Sequence, residues 1–129
     1  MKRPATSIII GLLAGMSGIA HGGTIASAPM LAIGIPNADQ AACYIRNVGT
    51  TPVDVSVQLA VGVPAPTFDT CNTSPLAPGR TCVILRDGPL GFAECTVTSS
   101  VSARRLRGTA ELRLATPSGF QVWSAQDLQ

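Results

Sequence analysis

The chain has almost no lysine or histidine. In 129 residues the one lysine is Lys2 and the one histidine is His21. Without an internal histidine there is no Ser-His-Asp triad and no Cys-His pair. Without lysine there is no Schiff base, no Ser-Lys dyad and no P-loop. The glycine-rich stretch 11–18 lies in the leader and is no nucleotide loop. Aromatic residues are also scarce: Tyr44, Phe68, Phe92, Phe120 and Trp123. Any core must therefore come from Val, Leu, Ile and Ala, and it will be thin. No internal repeat and no low-complexity tract appears. Close cysteine pairs of the C-x-x-C kind are missing too. The four cysteines are separated by 28, 11 and 13 positions, which argues against zinc.

What is present begins with an export signal. Lys2 and Arg3 precede an uncharged apolar run over residues 8–20, and Gly18, Ala20 and Gly22 supply small residues for cleavage. The run is shorter than the roughly 18 to 20 residues that a spanning helix needs. We expect residues 1–22 to be a cleaved signal peptide and no stable membrane insertion afterwards. Roughly 107 to 109 residues remain, enough for one domain. The formal +2 charge then disappears. Arg46, Arg80, Arg86, Arg104, Arg105, Arg107 and Arg113 balance Asp39, Asp54, Asp69, Asp87, Glu94, Glu111 and Asp127. The basicity belongs to the leader and is no argument for nucleic acid.

Beyond the leader, period 2 dominates. Val53, Val55, Val57, Leu59 and Val61 alternate with Asp54, Ser56, Gln58 and Ala60. Further strands are expected at 42–48, 81–86, 92–98, 109–115 and 120–125. Residues 30–35 offer an additional first strand, and 66–71 a short edge strand. Residues 87–91 and 116–119 read as turns. Proline in 62–80 marks the longest irregular stretch. Six to seven short antiparallel strands predict an all-β sandwich over residues 41–129, preceded by an N-terminal segment at 23–40. A small closed barrel is the rival architecture.

Four cysteines in a secreted chain read as two disulfides. They allow three connectivities. Alternation turns Cys43 inward with Ile45, and Cys95 inward with Ala93 and Val97. This favours Cys43–Cys95 across the core and Cys71–Cys82 around the Pro- and Gly-rich loop.

The stretch Cys43-Tyr44-Ile45-Arg46-Asn47-Val48-Gly49-Thr50-Thr51-Pro52-Val53-Asp54-Val55-Ser56-Val57 resembles the immunoglobulin-like bacterial sandwiches of the Hydin-type (ASH) and CARDB kinds. In those domains a strand ends in Asn-x-Gly, a Thr-Pro turn follows, and an alternating valine strand begins. With Pro78-Gly79-Arg80-Thr81-Cys82 and Ala93-Glu94-Cys95-Thr96-Val97, the chain is similar to small secreted proteins of Gram-negative bacteria. The resemblance covers residues 42–125. It implies an immunoglobulin-like fold of about seven strands and export to the periplasm or beyond. It transfers no catalytic residue and no cofactor.

Two places remain as candidate contact sites. Arg104, Arg105 and Arg107 form the one charge cluster, either a charged hairpin tip or a surface for an anionic glycan, a lipid headgroup or a partner's carboxylates. The Cys71–Cys82 loop, with Leu76 and Arg80, is stiffened by proline and could act as an inhibitor loop or present a contact peptide. The carboxylate pairs Asp87 with Glu94, and Asp54 with Glu111, are the conceivable glycosidase pairs, and each reads better as a solvated residue. The expected protein is a non-catalytic structural or interaction module with no cofactor and no metal. Its partner would be an envelope protein or a glycan.

Overall fold

The computed structural model describes residues 22–32, 37–61, 66–73 and 75–129. The expected signal peptide lies almost wholly outside these residues, as does much of the expected strand at 30–35. Among the described residues nine strands form two antiparallel sheets: β1 (Gly23–Ala26), β2 (Met30–Leu31), β3 (Ala38–Asn47), β4 (Val55–Ala60), β5 (Phe68–Asp69), β6 (Thr81–Leu90), β7 (Phe92–Ser99), β8 (Leu106–Thr116) and β9 (Gly119–Asp127). The larger sheet runs β5-β6-β3-β8-β9. The smaller is centred on β7, which pairs with β4 and with β1 and β2 in succession. Among the described residues no helix is long and apolar enough to cross a membrane.

The two sheets enclose a core of small aliphatic side chains. Ala41, Cys43 and Ile45 of β3 meet Ala93, Cys95 and Val97 of β7, all fully or almost fully buried. The alternation in β4 has its predicted sense: Val57 is buried, while Ser56 and Gln58 are exposed. Both disulfides follow the favoured pairing. Cys43–Cys95 links the central strand of each sheet, with its Cα atoms 6.1 Å apart. Cys71–Cys82 ties the loop after β5 to the start of β6, with its Cα atoms 5.0 Å apart. No free cysteine remains. Two disulfides point to an oxidising, extracytoplasmic compartment.

Three readings change. Strand β1 lies in the 23–40 segment, ahead of the first strand expected there at 30–35, and its Gly23 to Ala26 pair with Ser99 to Thr96. The turn expected at 87–91 shrinks to Gly91, because β6 continues to Leu90 against Ala38. Pro89, after a cis peptide, is tolerated in that strand because β5 pairs β6 only at Leu85 and Ile84. The segment before β8 is not a hairpin tip: β7 and β8 belong to different sheets, so residues 100–105 cross between them.

Three sheet edges are closed. The side-chain amide of Asn72 acts as a false strand residue on β4: its Nδ2 donates to Val57 O at 3.0 Å, and its Oδ1 accepts from Val57 N at 2.8 Å. On β1, Gln129 exchanges two backbone hydrogen bonds with Ala26, both 3.1 Å. Strand β5 is only two residues long. Gly108 makes room for this C-terminal closure, since a Cβ there would lie 2.8 Å from Ile45 Cδ1 and 3.0 Å from Leu128 Cδ2.

The two bridges close loops of different length, with sequence separations of 52 and 11. Chain entropy assigns about 4 kcal/mol to Cys43–Cys95 and about 3 kcal/mol to Cys71–Cys82. In denaturant titrations, Cys43→Ala/Cys95→Ala is expected to lose more stability than Cys71→Ala/Cys82→Ala. The opposite ranking would refute the cross-core bond as the main staple.

Candidate functional site

The end of the molecule where β3 finishes gathers both sequence-predicted contact regions. Asn47 is the hub. It is fully buried, and its Nδ2 donates to Thr51 O and to Leu76 O, each at 2.8 Å. Its Oδ1 accepts from Gly49 N at 2.8 Å. Its backbone carbonyl accepts from Gly79 N at 2.8 Å, and its N–H donates to Arg80 O at 3.1 Å. The next residue, Val48, donates to Arg105 O at 2.8 Å. Asn47 thus holds the 48–52 turn and the disulfide loop in register, and its neighbour Val48 ties the 100–105 crossing to them. Gly79 sits at φ +71°, a conformation that suits glycine at the tip of that loop.

The arrangement concentrates arginine. In the β3–β8 register Arg46 lies directly opposite Arg107, and both are exposed. Like charges directly opposite each other repel. Arg104, Arg105 and Arg80 project from the two neighbouring loops, all exposed. Arg105 donates to Thr51 Oγ1 at 3.3 Å, and Arg107 to Leu106 O at 2.8 Å and Arg104 O at 3.2 Å. None of these five arginines makes an ion pair among the described residues. Two depressions adjoin at Arg46 and Arg107. One, of about 540 Å³, is bounded by Val48, Gly49 and Gly79. The other, of about 340 Å³, runs past Tyr44, Thr81, Thr109 and Asp127. The site therefore offers several guanidinium forks in an open, hydroxyl-lined groove, suited to phosphate, sulfate or carboxylate.

Arg113 behaves differently. It is half-buried and bonded to Glu111 at 2.6 and 2.8 Å, to Gln40 at 3.2 Å and to the Tyr44 hydroxyl. Its guanidinium also lies over the Tyr44 ring, 5.2 Å from the centroid. Burial works against its charge, but the Glu111 carboxylate and Tyr44 outweigh that and raise its pKa. This cation is satisfied within the protein and supports the sheet face beside the groove.

Leu76 is the sequence-predicted contact residue that the structure withdraws. It is 7 % exposed and pairs with Val53 through two backbone bonds, 2.8 and 3.1 Å. An anchor buried under its own loop cannot enter a protease. Arg80 stays exposed. The conceivable carboxylate pairs are not brought together: Asp87 bonds Gln40 on the larger sheet, whereas Glu94 alternates outward from the smaller one. Glu111 is committed to Arg113, and Asp54 precedes β4 on the other sheet. Among the described residues no group of three or more His, Cys, Asp or Glu is placed to hold a metal. Sequence reasoning missed Arg46, whose only signal was its position two residues beyond Tyr44 on one strand face. It saw Asn47 only as a turn residue. No protein-family model, curated protein or solved structure matches the chain.

Asn47→Ala removes the side-chain donor to Thr51 O and one of two donors to Leu76 O, which keeps Val53 N–H, and strips Gly49 N of its acceptor, so stability should fall by about 1–3 kcal/mol. Backbone exchange should quicken at Gly49 in the turn and at Leu76 and Gly79 in the disulfide loop together. Faster exchange at one loop alone would count against the hub. At the end of β5, burial raises the Asp69 pKa, but hydrogen bonds from the Asn72 side chain and from the Asn72 and Cys71 backbones outweigh it and hold the carboxyl below its ordinary 3.8. A lowered folded value contributes stability above the ordinary value and loses it as pH falls through the folded one. The Tm of the native protein should therefore drop more steeply below about pH 4 than that of Asp69→Asn. Parallel profiles would exclude this role.

Proposed function

We propose that this chain is an exported, disulfide-stapled, non-catalytic interaction module of immunoglobulin-like fold. Its leader-like first 22 residues, its two disulfides and its domain size support that reading, and with it a periplasmic or secreted location in a Gram-negative bacterium. The contact surface is the arginine-lined end, and the partner carries phosphate, sulfate or carboxylate groups. One observation carries the proposal: Arg46 and Arg107 stand opposite each other, with no ion-pair partner among the described residues, where two grooves meet. An anion between them would relieve a repulsion that the folded chain leaves in place. The chemistry fits an acidic envelope glycan, an anionic lipid headgroup or an acidic protein surface.

Binding to a sulfated polysaccharide, to vesicles of anionic lipid and to envelope extracts separates these sources. Affinity for the true source should fall with added salt and fall about tenfold or more in Arg46→Ala/Arg107→Ala, equivalent to about 1.4 kcal/mol. Arg113→Gln should bind like the native protein, provided it folds. Undiminished binding by the double variant to every anionic partner would overturn the assignment.

A further inference from the structure

The β8–β9 hairpin overruns the sheet. Pairing of β8 with β3 ends at Arg113 opposite Gln40. Beyond it, Leu114, Ala115 and Thr116 have β9 as their strand partner, apart from a bond from Ala115 N to Asp39 Oδ2 at 2.7 Å. The outer strand of this arm is exposed from Gly119 to Trp123. Phe120 is 52 %, Val122 48 % and Trp123 45 % exposed. Trp123 is the extra residue of a bulge, since Arg113 pairs with Val122 and Leu112 with Ser124. From Leu114 to Gln126 the chain carries no charge and within β9 no proline.

Among the described residues no strand pairs with this edge at Gly119–Trp123, and an apolar edge without charge or proline is a template for another strand. The other three edges of this molecule are closed by Asn72, by Gln129 or by brevity. We infer that the edge at Gly119–Trp123 pairs with the same edge of a second copy of this chain, antiparallel about a twofold axis at Gln121. The segment is its own complement. In that register Phe120 faces the partner's Val122, Val122 its Phe120 and Gln121 its Gln121, as an isologous contact requires. The charge match points to a copy as well: the arm is neutral, so self-pairing sets no like charges side by side. The pairing also leaves both arginine-lined ends at the far extremities of the dimer. It stands independently of the anion-binding reading.

Sedimentation equilibrium of the purified protein, from about 1 μM to 1 mM, tests the idea. A monomer–dimer equilibrium is expected, with a concentration-dependent blue shift of fluorescence from Trp123, the one tryptophan. Val122→Lys should weaken dimerisation more than about tenfold while leaving polyanion binding unchanged. Gln121→Cys should give a cross-linked dimer on oxidation, and Ser118→Cys should not. The Gln121→Cys result decides the matter even if Val122→Lys fails to fold. A monomer across the whole range, a dimer indifferent to Val122→Lys, or equal cross-linking at Ser118 would each overturn the inference. Loss of polyanion binding without loss of dimer would touch only the arginine site.

Discussion

The Cys43–Cys95 bond is the constraint on which the rest of the structure depends. It joins the central strand of the larger sheet to the central strand of the smaller one. The core between them is built mainly from alanine, valine, isoleucine and leucine, with Met30 and the cysteines, and no aromatic ring is among its buried residues. Such a core removes little apolar area per residue from water. A covalent link at the middle of both sheets acts on the unfolded chain and needs no bulky side chains. That is how a short chain with few aromatics can sustain two stacked sheets.

From that centre outward, side-chain amides do the work usually left to backbone ladders. Asn47 ends β3 and satisfies carbonyls from two other loops. Asn72 offers β4 a donor and an acceptor with the spacing of a peptide group. The buried Gln40 likewise bridges Asp87 and Arg113 across three strands of the larger sheet. Each of these buried or edge amides has a partner on both its oxygen and its nitrogen, and a partnered amide stabilises where an orphaned one would cost. The contrast with the β9 edge is then informative: among the described residues three edges are closed, while Gly119–Trp123 stays exposed and largely apolar.

Charge follows a similar division. Arg113 is enclosed by Glu111, Tyr44 and Gln40 and serves the fold. The five arginines at the opposite end of β3 have no carboxylate partner among the described residues, and those that bond within the fold reach only a hydroxyl and backbone carbonyls. A near-neutral chain can therefore still present a strongly cationic end, because net charge says nothing about where charges sit.

The sequence by itself determined the strand periodicity, the all-β class, the inward cysteines and the exclusion of histidine and lysine chemistry. These are local properties: alternation, turn residues and composition act over a few positions. The favoured disulfide pairing was legible because alternation alone assigns a side chain to one sheet face. Only the tertiary structure decided that β6 runs through Pro89, that Leu76 is buried against Val53, and that the segment at Arg104 crosses between sheets. Only register set Arg46 beside Arg107, 61 positions along the chain. No local pattern encodes which strands become neighbours, and the candidate site exists only where β3, β8 and two loops converge.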